Sequence, residues 1–306
     1  MQDLMEYRMR SKISPEELKN KIGRIVLDED YNLVITGPTR LLLPSGEPLC
    51  VYLPKAISAE HCESSYPILT AIRNTSDNRS YASGSQGVRS VNAIVYREIY
   101  SSIIGSIEPM GGNRFPYCRT TAWTGSNANK FAELFPLFEV IGQYFAEYVP
   151  ERYVKQKKMI LNTAYDWRIG NTPFTTITVN NTYPTGVHRD KGDLEEGFSC
   201  LMSLRKGKYT GGNLVFPEYR VSINMQHGDL LLMDAHQWHG NTNIVKQSDD
   251  AERISLVLYY RTGMMYCGTK EIEDAKQLHQ RSKPLAVDKR DEAELESQFV
   301  SQGNID

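Results

Sequence analysis

Thr175-Thr176-Ile177-Thr178-Val179 opens the run of short extended segments that decides the fold. Four of the five are β-branched threonine or valine and the fifth is isoleucine, and branching at Cβ favours extended backbone. Segments 198–204, 213–216, 220–224, 229–233 and 253–261 follow, set apart by Gly, Pro and Asn turns. Many short strands at roughly ten-residue spacing predict a sandwich or jelly roll. The expected fold class is α+β: a double-stranded β-helix (jelly roll) core with flanking N-terminal helices.

Upstream of that run the signals are mixed. Ser14-Pro15-Glu16-Glu17 has the form of a helix start, with Ser as cap and Pro at the first helical position. A short helix is expected to reach Gly23, followed over 24–53 by short strands that turn at Pro44-Ser45-Gly46-Glu47-Pro48. Ser58 is the expected cap of a second helix over 59–73, and the Ser-, Asn- and Gly-rich stretch 74–90 reads as a mobile loop. Phe131, Leu134, Phe135, Phe138, Ile141, Phe145 and Tyr148 recur at three- and four-residue steps, which predicts a helix over 128–149 with one buried aromatic face and a kink at Pro136. A further helix is expected from Pro150 to Thr163; its Arg152, Lys155, Lys157 and Lys158 read as a solvated face. Three regions result: an N-terminal helical and strand extension over 1–90, the β-helix core with supporting helices over 91–268, and a charged tail over 269–306.

Composition narrows the setting. The chain has 306 residues, is 40% hydrophobic and carries a net charge of −2, so it lacks the global basicity of a passive nucleic-acid binder. No apolar run reaches the ~18 residues of a membrane span, and the polar N-terminus lacks a signal-peptide core. Cys50, Cys62, Cys118, Cys200 and Cys267 are scattered, none at CxxC spacing, which suits a reducing compartment: cytoplasm, or nucleus in a eukaryote, and not secretion.

The chemistry-bearing residues lie on the strand run. His188 and Asp190 are alternate residues, so on a strand they share a face. With one more imidazole they form the two-His, one-carboxylate set that holds a non-haem Fe(II) and leaves coordination positions open. Two histidines, His236 and His239, are candidates; Gly240 after His239 permits a tight turn at a strand end and favours His239, with His236 beside the site. Arg253 and Ser255 again share a strand face. A guanidinium grips a carboxylate through two parallel bonds and a hydroxyl adds another, which fits the far carboxylate of 2-oxoglutarate.

The strand Arg253-Ile-Ser-Leu-Val-Leu-Tyr-Tyr-Arg261 resembles the closing strand of the TET/JBP family of DNA 5-methylpyrimidine dioxygenases. His188-Arg-Asp190, the block Gly211-Gly-Asn-Leu-Val-Phe-Pro217, Gly228-Asp-Leu-Leu and His239-Gly240 resemble the same family, over about 175–263. The resemblance implies Fe(II) on His188, Asp190 and His239, which are thereby also the catalytic set. It implies 2-oxoglutarate on Arg253 and Ser255, O2 as oxidant, and DNA containing 5-methylcytosine as partner. Tyr259 matches an aromatic lying against the flipped base, and Asp193 matches a polar group touching the base edge. Arg261 stands where the animal members carry a His near the base, and Arg189 is a further candidate for substrate contact. The animal members' cysteine-rich zinc-binding region is absent. Asn181-Thr-Tyr183 resembles the Asn and Tyr that AlkB-like proteins place near the co-substrate, which makes Asn181 and Tyr183 co-substrate candidates.

The implied reaction is hydroxylation of the 5-methyl group of 5-methylcytosine, coupled to decarboxylation of 2-oxoglutarate to succinate. Asp193 favours cytosine over thymine, because an ionised carboxylate only accepts while cytosine offers an N4 donor and thymine an O4 acceptor. The rivals are a thymine hydroxylase on DNA, a prolyl or small-molecule hydroxylase on the same scaffold, and a cupin-like metal-binding module. The Arg253 and Ser255 pair argues against the last, which needs no 2-oxoglutarate anchor. No protein partner and no membrane are indicated.

Overall fold

The computed structural model describes residues 2–73, 100–110 and 115–282. The loop expected over 74–90 and the tail beyond 282 lie outside the described residues. Among them, no helix is long and apolar enough to cross a membrane.

Among the described residues fifteen strands carry the fold: β1 Met5–Arg8, β2 Leu33–Ile35, β3 Thr39–Leu42, β4 Pro48–Leu53, β5 Tyr100–Ile107, β6 Arg119–Thr120, β7 Thr176–Asn181 and β8 Ser199–Lys206, then β9 Tyr209–Gly211, β10 Leu214–Phe216, β11 Val221–Ile223, β12 Asp229–Met233, β13 Gly240–Asn241, β14 Ile244–Lys246 and β15 Glu252–Tyr259. Nine form one sheet in the order β1-β3-β4-β12-β8-β15-β7-β5-β6, four form a second in the order β13-β10-β11-β2, and β14 pairs with β9. The first 53 residues thus feed both main sheets. Among the described residues neither sheet closes into a barrel.

Alternation along the central strands sorts side chains into two layers. In β15, Ile254, Leu256 and Leu258 are fully buried on one face, against the helices. That cluster takes Cys200, Met202 and Leu204 from β8 and Phe131, Phe138, Ile141 and Phe145 from the helices. The opposite face of the large sheet packs Tyr52, Leu201, Leu231 and Met233 on Leu214, Phe216, Val221 and Ile223 of the smaller sheet. Arg253, Ser255, Val257 and Tyr259 fall on this second face by the period-2 rule. Register decides which residues enter the inter-sheet space, because a slip of one would exchange the two sets.

Helices α1 Pro15–Lys21, α2 Ala59–Thr70, α3 Ala122–Ser126, α4 Ala128–Glu133, α5 Phe135–Tyr148, α6 Pro150–Asn162 and α7 Lys270–Ser282 complete the described chain. Ser14 Oγ caps α1 by accepting from Glu17 N at 3.1 Å, and Ser58 Oγ caps α2 from His61 N at 3.3 Å. The single kinked helix expected over 128–149 is instead two. Pro136 sits in the first turn of α5, where its missing N–H leaves no bond unmade. On α6, Arg152 donates to Glu195 O at 3.0 Å and Lys157 to Asn171 O at 2.8 Å, so these two basic side chains hold loops of the protein itself.

The cysteines contain a pair that their scatter hides. Cys118 and Cys267, 149 residues apart, form a disulfide, while Cys50, Cys62 and Cys200 are free and buried. It ties the segment leaving β15 to the segment entering β6. Glu273 of α7 secures the same corner, accepting from Cys118 N at 2.8 Å and Gly268 N at 2.9 Å.

Candidate active site

His188 and His239 face each other across a two-residue antiparallel bridge, each amide donating to the other's carbonyl at 2.8 Å. Their ring centroids lie 4.5 Å apart, and His188 Nε2 lies 3.5 Å from Asp190 Oδ1. One ligand atom from each of His188, Asp190 and His239 falls within 4.8 Å of the other two. His188 Nδ1 lies 2.7 Å from Gly186 O and His239 Nδ1 lies 2.8 Å from Gln237 O. A carbonyl on Nδ1 fixes the proton there and leaves the Nε2 lone pair for a metal. Burial, aided by the neighbouring His188, pushes His239 down to about 4, so it is a neutral imidazole at pH 7, the form that ligates. The donor set suits Fe(II): two imidazoles and one carboxylate on one side.

His236 takes no place in this cluster. It is held by Asp234, whose Oδ1 lies 3.1 Å from its Nδ1, and its Nε2 lies 3.4 Å from Asp193 O. With Asp193, Ser199 and Tyr259 it borders one crevice beside the metal-ligand cluster.

Arg253 is 2% exposed, and its Nη2 meets no hydrogen-bond partner among the described residues. Burial lowers its pKa, yet a guanidinium stays charged at any physiological pH. A buried cation with an unsatisfied donor calls for an anion, and the 2-oxoglutarate carboxylate fits it. Ser255 lies on the same strand face and is 3% exposed. Gly212, at φ +73°, lies close against this arginine; a Cβ there would come 3.0 Å from Arg253 Cδ.

The structure does not bring Asn181 to this group. It pairs with Ile254, so it follows the opposite face from Arg253, and its Nδ2 donates to Glu252 Oε1 at 2.6 Å. Glu252 also accepts from Thr70, Arg73 and Tyr66, pinning α2 to the start of β15. Tyr183 is buried just past β7.

Asp193 is bonded to Ser199 Oγ at 3.1 Å. Burial first, then the Asp190 carboxylate, pushes its pKa up to about 7. A divalent cation on Asp190 would oppose the second contribution and favour the ionised form. Tyr259 Oη lies 3.1 Å from Thr178 Oγ1. Arg261 bridges Asp193 through the backbone and forms a two-pronged ion pair with Glu108. Glu108 lies 153 residues upstream, and no local pattern marks it. Arg189 is exposed and lies over the Trp238 ring, 5.0 Å from its centroid, at the rim of the metal-ligand cluster.

A His-Asp-His cluster with a buried, unsatisfied arginine on the closing strand defines the class of Fe(II)- and 2-oxoglutarate-dependent oxygenases, with O2 as third reactant. Residues 108–262 match the family model Tet_JBP, the oxygenase domain of the 2OGFeDO superfamily, and the chain belongs to that family. It is similar to thymine dioxygenase JBP1 of Leishmania braziliensis, 30% identical over 60% of this chain and 24% of that protein. The bifunctional helicase and thymine dioxygenase JBP2 of Trypanosoma brucei brucei is 28% identical over 80% of this chain and 22% of its own length. The chain therefore spans about a quarter of the curated relatives it matches. Among solved structures, NgTET1 in complex with 5mC DNA superposes with a TM-score of 0.57 at 15% identity, covering 88% of this chain and all of that one, which establishes a shared jelly-roll fold.

Proposed function

We propose that this chain hydroxylates the methyl group of a 5-methylpyrimidine in DNA, and that 5-methylcytosine is its base. The observation that carries the class is the buried, unsatisfied Arg253 Nη2 in a chain that also clusters His188, Asp190 and His239. When bound, Fe(II) with 2-oxoglutarate and O2 supplies the oxidising power to hydroxylate an unactivated C–H bond. The remaining work falls to the protein's side chains. His188, Asp190 and His239 hold the metal on one side. Arg253 fixes the far carboxylate, with Ser255 adding a donor.

The target methyl group is stacked inside a duplex, so the base must be extruded to reach the metal ligands. Tyr259, on the same face of β15 as Arg253 and Ser255, gives that base an aromatic face. Asp193 reads its edge: an ionised carboxylate accepts from cytosine N4 and repels thymine O4. The second reading is thymine, and the thymine dioxygenases among the relatives favour it.

Nucleoside mass spectrometry after incubation with DNA carrying both bases tests the choice. 5-Hydroxymethylcytosine is the expected main product. 5-Hydroxymethyluracil as main product would select thymine, and neither product with active succinate release would refute the DNA reading. Asp193→Asn, which adds a donor, should shift the product ratio toward the uracil form, measured in the same assay.

A further inference from the structure

Tyr209 is a buried polar side chain that none of the roles above employs. It opens β9 and is 6% exposed. Its ring packs with Ile244 and Ala251 on one side and lies under Arg205, whose Cζ is 4.1 Å from the centroid. Arg205 stacks on the ring face and its guanidinium, which can only donate, comes near the phenol oxygen, while the proton of Tyr209 Oη meets no acceptor of normal geometry among the described residues. Buried hydroxyls in native folds are paired with protein, water or ligand, so each unpaired one demands an account.

The surroundings of this hydroxyl point to one ligand. Arg205 is the direct cross-strand neighbour of Arg253 in the β8–β15 pair. The segment that Tyr209 begins runs on into Gly212, which lies against the Arg253 side chain, 3.0 Å from Cδ and 3.3 Å from Nε for a Cβ placed there. Phenol and Arg253 guanidinium interact electrostatically. Two buried donors, Arg253 Nη2 and the Tyr209 hydroxyl proton, therefore lack acceptors, one at the start of β15 and the other just past the end of β8 that pairs with it. Burial raises the pKa of the phenol, outweighing the opposing pull of Arg253 and Arg205, so it keeps its proton and can donate. One carboxylate offers about four lone-pair sites and can accept from both.

We propose that Tyr209 Oη donates to the far carboxylate of 2-oxoglutarate alongside Arg253, as a positioning residue for the co-substrate. The inference rests on the reading that Arg253 binds that carboxylate. Tyr209→Phe removes the hydroxyl and keeps the ring under Arg205. Calorimetry on the full chain loaded with Mn(II) should show 2-oxoglutarate bound about 10- to 100-fold more weakly by the variant, the loss of one hydrogen bond to a charged group. Oxalate has the metal-binding end and no distal arm, so its Kd should not change. The ligand-free Tm should hold or rise, because the substitution deletes an unpaired buried group. Wild-type affinity for 2-oxoglutarate in Tyr209→Phe overturns the proposal, as does equal weakening of oxalate. A wild-type chain that binds oxalate and not 2-oxoglutarate overturns the Arg253 reading instead.

Discussion

Replacing Arg253 by Lys isolates what a planar, permanently charged fork contributes to the site. The guanidinium is 2% exposed and presents an unsatisfied Nη2, so a bound carboxylate would gain at least one charge-assisted bond that an ammonium at the same Cα cannot reproduce in parallel. Such a bond contributes about 1.5–3 kcal/mol, which at about 1.4 kcal/mol per decade is roughly a 10- to 150-fold rise in the KM for 2-oxoglutarate. A pH dependence should accompany it. Burial, the largest influence, with Arg205 adding to it, lowers the pKa of the cation at this position. Arginine starts too high for this to matter, whereas lysine starts near 10.4 and is brought toward the working range. A depressed cation loses its charge as pH rises, so the KM of the Lys variant should climb between about pH 7 and 9 while that of the wild type stays level. The assay is succinate formation against 2-oxoglutarate concentration at several pH values, with metal content measured in parallel. An unchanged KM, or a lost metal, would refute the assignment.

His239→Ala should abolish Fe(II) binding and turnover, whereas His236→Ala should keep the metal, since only His239 lies in the ligand cluster; metal analysis of the purified variants separates the two. Gly212→Ala at φ +73° should cost about 1–2 kcal/mol of stability and raise the KM for 2-oxoglutarate by pressing on Arg253, and a variant with normal kinetics would show that the two do not touch in the working enzyme. Reducing the Cys118–Cys267 bond should destabilise the fold by about 2–5 kcal/mol, read as a Tm lowered by several degrees in calorimetry with and without reductant; equal Tm values would count against the bond.

Much of the site was legible because its signals are local. Alternate residues share a strand face, so Arg253 with Ser255 could be grouped from spacing alone, whereas His188 and Asp190, expected on a strand, lie outside any strand, His188 in an isolated bridge to His239. The capping serines Ser14 and Ser58 were equally readable, since a cap is decided within four residues. Pro136 was misplaced for a related reason: periodicity runs smoothly through Leu134, and only the backbone shows one helix ending and another starting there.

What the tertiary structure alone decided are the relations between residues far apart in the chain. Asn181 sits next to the strand face that matters, and the pairing of β7 with β15 turns it to Glu252 on the other side. Glu108 under Arg261, Cys118 on Cys267, and Gly212 against Arg253 each join segments that no pattern links. The chain by itself determined which side chains can act together on one strand. Register and sheet packing decided which strands meet, because hydrogen-bonded pairing fixes every face at once and a sequence pattern records only the alternation, not the partner.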